Sequence, residues 1–294
     1  MESRSTFAKR RPILSYLLLA ISVSWAAILL VIGPAGFLGT EEIPESVMTL
    51  VYMATLLGPS ISGLLLTGLV DGRAGFRQLG GRLGVWRVGA GWYFLAVLSA
   101  PVAIGLALLI LGTTSTAFVP SIFRAANRVG LLVAGLFGGL MVGVFEELGW
   151  TGFAVPRLLR RHGVVATGVI VGVVWGAWHG PLFLGAARAS TAIPPVLMLA
   201  ILLFSFLPAF RVLMVWVYER TGSLPVTILM HWSLTSSTLI LQPQASGMEV
   251  VLYDLVFAAL LWVLAAVLTS RRAVAAPAPA RAADREPTLR ARDT

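Results

Sequence analysis

Four ionisable side chains stand out inside long apolar stretches of this 294-residue chain. Glu146 and Glu147 occur in VGVFEELGWTGFAVPRL, His179 in VVWGAWHGPLF and His231 in LPVTILMHWSLTSS. Carboxylates and imidazoles can activate a water molecule, transfer protons or bind a divalent metal such as zinc. Because an ionisable group is costly in an apolar helix, such residues usually mark function or a specific pair.

Each of these residues also has a purely structural interpretation. A buried histidine often bonds a backbone carbonyl, and the two glutamates could form an interfacial pair with Arg157 or Arg160. Adjacent helical residues diverge by about 100°, so the two glutamates cannot point at one spot in the same way. We expect one to face the reaction centre and the other to bind a neighbouring helix or an arginine, and the sequence leaves open which is which.

The elements that position these residues are predicted to be membrane helices. Hydrophobic residues make up 57% of the chain and charged residues only 12%, too few to cover the surface of a soluble domain. No segment alternates with a period of two, so we predict an all-α, polytopic membrane helix bundle of about eight transmembrane helices. The predicted spans are 13–33, 47–70, 91–112, 131–155, 164–184, 195–217, 222–241 and 250–268. The absence of cysteine excludes disulfides, a thiolate nucleophile and cysteine-based zinc sites.

The basic residues between the spans predict one orientation in the cell membrane. The main basic clusters fall on one side, which the positive-inside rule makes cytoplasmic, together with both termini. The residues of these clusters are Arg4, Lys9, Arg10, Arg11, Arg73, Arg77, Arg82, Arg87, Arg157, Arg160, Arg161, Arg271 and Arg272. Arg124, Arg128 and Arg188 fall on the opposite side and are the exception. Because the basic residues are scattered over short loops and tails, the expected partner is the lipid bilayer and not nucleic acid.

The depth of the four ionisable residues predicts that they share one layer. The apolar run TGFAV continues the fourth span beyond Trp150, so Glu146 and Glu147 lie near its middle. His231 is also near the middle of its span. His179 lies about 8 Å further from the cytoplasm than the middle of its own helix.

The three segments together resemble the CPBP family of intramembrane proteases, which includes the type II CAAX prenyl endopeptidases and bacterial Abi-type proteins. A Glu-Glu pair, a Gly-aromatic pair and Pro-Arg-Leu are matched by Glu146, Glu147, Gly149, Trp150 and residues 156–158. An aromatic residue four before a histidine is matched by Trp175 and His179. Gly-Ser-Leu followed by a histidine is matched by residues 222–224 and His231.

Charge, hydropathy and the motifs together divide the chain into four parts. Residues 1–12 are a basic cytoplasmic N-terminus, and residues 13–128 hold the first three transmembrane helices. Residues 129–270 form the protease-like transmembrane core, and 271–294 are a disordered cytoplasmic tail.

The chain differs from the family motifs at two positions: Thr151 replaces the family's arginine, and Thr235 replaces its asparagine. Thr235 can still donate a hydrogen bond, and Arg157 could reach back to supply the charge that Thr151 lacks.

The resemblance implies an intramembrane endopeptidase in which a glutamate activates water. On this hypothesis the catalytic residues are Glu146, Glu147, His179, His231 and Thr235. Glu146 is the general base with Glu147 supporting it, and His179 orients the water. His231 and Thr235 stabilise the oxyanion. No cofactor is certain, but Glu146, His179 and His231 would suffice as ligands if a divalent metal such as zinc were required.

Two other classes of protein compete with the peptidase hypothesis. The first is a non-catalytic immunity or scaffold protein that keeps the protease fold, which the changes at Thr151 and Thr235 favour. The second is a proton-coupled transporter, although no internal repeat typical of that class is visible. The expected substrate of the peptidase is a membrane-associated protein or peptide, and the oligomeric state is left open.

Overall fold

The computed structural model describes residues 7–38, 40–41, 43–182 and 194–270, and their regular structure is entirely helical. Seven apolar spans within the described residues, three of them joining consecutive helical segments, are long enough to cross a membrane, and Val164–Trp178 is a shorter apolar helix. The prediction of an all-α membrane bundle of about eight helices is therefore confirmed. The predicted disordered tail and the last two residues of the span 164–184 lie outside the described residues.

The described helices have the following bounds, in chain order. They are α1 (Phe7–Arg10), α2 (Pro12–Phe37), α3 (Glu45–Leu66), α4 (Gly72–Leu83), α5 (Ala90–Gly112), α6 (Ser121–Arg124), α7 (Arg128–Gly149), α8 (Val155–Leu159), α9 (Val164–Trp178), α10 (Pro195–Phe204), α11 (Phe206–Thr221), α12 (Leu224–Leu241) and α13 (Met248–Ser270). Two π-helical segments, Thr67–Asp71 and Trp150–Ala154, connect α3 to α4 and α7 to α8.

The helix that carries the two glutamates continues past them, as the sequence predicts. Helix α7, the π-helical segment and α8 form one apolar span of 32 residues from Arg128 to Leu159. Glu146 and Glu147 lie near its middle. Proline has no backbone N–H to donate to the preceding helical turn, and its ring crowds that turn. The wider π-helical turn at Trp150–Ala154 provides the room that Pro156 needs.

The predicted span 195–217 is present as the apolar span Leu199–Thr221, but it is built from two helices, α10 and α11, and not from one. It is broken at Ser205, whose backbone (φ −93°, ψ −113°) is not helical. Pro208 follows three residues later, and a proline disrupts the helical turn before it by removing a hydrogen bond and clashing with the carbonyl.

Close glycine contacts bring the helices of the site together. A methyl group on Gly168 or Gly172 of α9 would collide with the backbone of Val212 or Pro208, so α9 and α11 pack almost backbone to backbone. On α7, a methyl group on Gly143 would lie 2.8 Å from the carbonyl oxygen of Ile228 on α12. Small residues allow such close approach between membrane helices.

The N-terminal helices also support the site. On α2, Ser24 donates to the Thr55 carbonyl of α3 at 2.5 Å and accepts from the Trp178 indole at 2.8 Å. The Trp25 indole donates to the Trp178 carbonyl at 2.9 Å. Ser60 of α3 donates to the carbonyl of Phe145, directly before the glutamates, at 2.5 Å. The first third of the chain therefore holds α7 and the end of α9 in place.

The contact at Gly143 predicts a selective loss of stability. In Gly143→Ala the new methyl group must push α12 away, and overpacking of this kind costs about 1–3 kcal/mol. We expect a Tm several degrees lower in a thermal melt of the purified protein. Gly105→Ala is the control, because no atom lies within 4 Å of that position. Equal Tm values for the two variants would contradict the close packing of α7 on α12.

Candidate active site

Two carboxylates and one imidazole form a buried cluster at the centre of the bundle. Glu146, Glu147 and His231 are 2%, 0% and 1% exposed. His231 Nδ1 lies 2.7 Å from Glu147 Oε1, and His231 Nε2 lies 4.0 Å from Glu146 Oε2. Because a carboxylate only accepts, Nδ1 carries the proton in the first contact when Glu147 is ionised. The ring of His231 thus lies between the two glutamates, with Nε2 on the side of Glu146.

Glu147 is held by three side chains from three parts of the chain. Arg211 Nη1 of α11 donates to Glu147 Oε1 at 2.7 Å, and both side chains are completely buried. The Thr151 hydroxyl, from the π-helical segment, donates to Glu147 Oε2. With His231 this gives Glu147 an ion pair and two further hydrogen bonds. A buried carboxylate with such partners is held as an anion in one orientation.

Glu146 has a different environment. Its Oε2 accepts a hydrogen bond of 2.7 Å from the Trp175 indole of α9. The Arg211 guanidinium, with Cζ 4.3 Å from the ring centroid, stacks on the same indole in a cation–π contact. Arg211 thus binds Glu147 directly and supports the residue that binds Glu146. Within the described part of the chain, Nε and Nη2 of Arg211 have no hydrogen-bond partner.

His179 joins the cluster through Trp175. It is half-buried at the C-terminal end of α9, with its Nδ1 2.8 Å from the Trp175 carbonyl oxygen. A carbonyl accepts and does not donate, so Nδ1 carries a proton in this contact. Its ring packs edge-on against Trp175 and Trp178, at centroid distances of 5.4 and 4.6 Å. The contact of Trp175 with both His179 and Glu146 links two of the predicted site residues.

The structure brings Thr235 near the cluster along α12 but gives its hydroxyl no hydrogen bond to any described residue. Thr235 is half-buried and lies one helical turn after His231. The role of Thr235 as an oxyanion donor therefore stays a prediction.

Arg157 does not take the place of the missing arginine of the first motif. It forms an ion pair with Asp71, at the end of the π-helical segment after α3, and donates to the Phe153 carbonyl at 2.7 Å. Its guanidinium also stacks on the Phe153 ring, with Cζ 3.6 Å from the centroid. Both the expectation that Arg157 reaches back and the structural interpretation that it binds the glutamate pair are therefore wrong.

Arg211 is the site residue that our sequence analysis missed. The signal was present, because Arg211 lies inside the predicted apolar span 195–217. The rule that singled out Glu146 applies equally to an arginine in such a span. That Arg211 points at Glu147 and not at another helix was not readable, because nothing in the sequence tells which helices are neighbours.

The described residues do not fit a metal centre as they stand. No three histidine, aspartate or glutamate side chains converge as a ligand set anywhere in the described ranges. Two of the proposed ligands, His231 and Glu146, lie 4.0 Å apart. The third, His179, contacts the carbonyl and the ring of Trp175 instead of either of them. We therefore derive no catalytic step through a metal.

Comparison with known proteins finds a family match over the segment that contains the cluster. Residues 128–236 match the family model described as Type II CAAX prenyl endopeptidase Rce1-like. This segment contains α7 to most of α12 and therefore every residue of the cluster. A curated relative, CAAX prenyl protease 2 of Methanococcus maripaludis, is 40% identical over 47 residues, or 16% of this chain. The matched segment spans only 17% of the length of that relative.

The chain is therefore a multi-pass membrane protein with a buried glutamate–histidine cluster. Its residues 128–236 match the Rce1-like type II CAAX prenyl endopeptidase model, which confirms the resemblance seen in the motifs.

The Arg211–Glu147 pair predicts strong energetic coupling. Arg211→Met or Glu147→Gln alone leaves a buried charge without its partner, which costs about 3–5 kcal/mol. The double variant removes both charges, so the two losses should not add, with a coupling free energy of about 1–3 kcal/mol in denaturant unfolding. The control cycle combines Arg157→Met with Glu147→Gln, for which we expect additive losses. Additivity in the Arg211 cycle as well would show that the ion pair does not form.

Proposed function

We propose that this protein is an intramembrane endopeptidase that hydrolyses a peptide bond of a membrane-associated protein or peptide with a water activated by Glu146. The observation that carries the proposal is the unequal environment of the two glutamates. Glu147 is saturated by Arg211, His231 and Thr151, whereas Glu146 has an indole partner and no cation in direct contact. A general base needs an oxygen that can accept a proton, and Glu146 meets that requirement better than Glu147.

The water binds between Glu146 and His231 in this proposal. The 4.0 Å between Glu146 Oε2 and His231 Nε2 is too long for a direct hydrogen bond. One water oxygen at about 2.8 Å from both atoms fits this separation. The water would be oriented by two groups that the bundle already holds in place.

The reaction then proceeds in two steps. The water oxygen attacks the peptide carbonyl carbon while Glu146 accepts the water proton, which gives a tetrahedral intermediate with a negative oxygen. Glu146 next passes the proton to the peptide nitrogen, and the C–N bond breaks to release an amine and a carboxylic acid.

The other residues support these steps. Glu147 fixes the ring of His231 through Nδ1, which leaves Nε2 facing the developing oxyanion as its proposed donor. Thr235 assists as a second donor when substrate is bound. His179 helps to orient the water only through Trp175, whose carbonyl it contacts and whose indole holds Glu146. Arg211 holds Glu147 and the Trp175 indole, so it positions both carboxylates without touching the substrate.

The position of the cluster favours a substrate that reaches the membrane. Glu146 lies near the middle of a 32-residue apolar span, far from bulk water on either side. The relative's printed name, CAAX prenyl protease, supports a substrate attached to the membrane by a lipid. The family match supports the reaction class for the segment 128–236.

Substitution of Glu146 tests the proposal. We expect Glu146→Gln to lower proteolysis by at least about 10²-fold, because an amide cannot act as a base at neutral pH. The measurement compares new protein N-termini in membranes of cells that make the wild type or the variant at equal abundance. Glu219→Gln, which changes an exposed glutamate paired with Arg220, is the matched control and should keep the wild-type set of cleavage products.

Identical sets of N-termini for the wild type and Glu146→Gln, with both proteins folded and inserted, would contradict the peptidase proposal. That outcome would favour the non-catalytic scaffold.

The absence of a converging ligand set among the described residues predicts metal-independent hydrolysis. We expect the purified protein to keep its activity after dialysis against a strong chelator, with no gain on addition of zinc. The assay follows cleavage of a substrate identified from the N-terminus comparison. Loss of activity on chelation, with recovery on addition of zinc, would establish the metal-dependent mechanism instead.

A further inference from the structure

A cavity of about 390 Å³ opens at the end of the bundle that carries the arginine-rich connection between α3 and α5. Its polar walls come from α4, α8 and α11 and from the residues beside them. These residues are Asp71, Gln78, Arg82, Arg157, Arg160 and Tyr218. We call this cavity the arginine pocket.

The arginine pocket has an excess of positive charge. Asp71 neutralises Arg157, so three arginines and one aspartate leave a net charge of +2. Arg82 has only neutral partners, since it donates to the Gln78 carbonyl at 3.2 Å and to the Tyr218 hydroxyl at 3.3 Å. Neither Arg82 nor Arg160 forms an ion pair with any described carboxylate.

The arginine pocket lies at the level of the lipid headgroups. Arg157 follows Glu147 by ten residues, which places it about 15 Å along the helix axis from the glutamate layer. That distance is about half the thickness of the hydrocarbon core. Helix α4 beside the pocket is amphipathic, with Gly75 and Leu79 buried and Arg73 and Arg77 exposed. A short basic helix of this kind is typical of the membrane surface.

We propose that the arginine pocket binds the phosphate group of an anionic phospholipid. Two guanidinium groups without carboxylate partners can donate paired hydrogen bonds to phosphate oxygens, and the Tyr218 hydroxyl is a further donor. Basic pockets between membrane helices at the headgroup level are well suited to such lipids. This site is separate from the proposed peptidase centre, and its existence does not depend on that activity.

A bound lipid would connect the two helices that carry the central ion pair. Arg157 lies on α8, which continues the helix of Glu147, and Tyr218 lies two turns after Arg211 on α11. A phosphate bridging these two walls would hold the ends of both helices together. We therefore expect anionic lipid to raise the thermal stability of the whole bundle.

The test uses the full-length protein purified in a neutral detergent. Dioleoyl phosphatidylglycerol is titrated and followed by native mass spectrometry and by Tm, with dioleoyl phosphatidylcholine and inorganic phosphate as separate titrants. The variant is Arg82→Gln with Arg160→Gln. The matched control is Arg87→Gln with Arg161→Gln, which removes the same charge from exposed arginines at the same end of the bundle that do not line the pocket.

We expect the wild type and the control to bind phosphatidylglycerol equally, and the pocket variant to bind it at least tenfold more weakly. Equal weakening in the pocket variant and the control would overturn the proposal, because the attraction would then belong to the whole basic surface. Inorganic phosphate that raises Tm at the same concentration as the lipid would overturn the assignment to a lipid. Melting curves without lipid establish that both variants fold.

Discussion

The buried ion pair between Arg211 and Glu147 is the interaction on which the arrangement of the site depends. Both side chains are completely inaccessible, and a lone charge in such a place would cost several kcal/mol. The pair is tolerated because each charge neutralises the other and because Thr151 and His231 complete the shell of Glu147. The orientations of His231 and, through Trp175, of Glu146 follow from this pair.

Such a pair requires three helices to approach each other closely, and small residues provide that approach. Gly168 and Gly172 allow α11 to lie against the backbone of α9, so Arg211 can reach both the Trp175 ring and Glu147. The break at Ser205 separates α11 from α10 and frees it to take this direction. In a membrane, where apolar burial does not drive helices together, packing and polar contacts of this kind supply the association.

Glu146 and Glu147 are neighbours on α7 but have different surroundings. Adjacent residues on α7 diverge around the helix, so Glu147 meets α11 and α12 while Glu146 meets α9. Glu147 is fixed in the framework by its ion pair, and Glu146 is left for the base role proposed above. Helix α8, which continues the helix of Glu147, and helix α11, which carries Arg211, also line the arginine pocket, so the pocket and the buried cluster share these two walls.

The sequence alone was sufficient for the helices and for most of the cluster, since hydropathy and charge act locally. An apolar run of sufficient length must be helical in lipid, and Glu146, Glu147 and His231 were conspicuous because ionisable groups in such runs are costly. The ion-pair partners of the buried charges could not be predicted from the sequence. That Arg211 binds Glu147 while Arg157 binds Asp71 depends on which helices are neighbours and how they are rotated, and only the tertiary structure decides that.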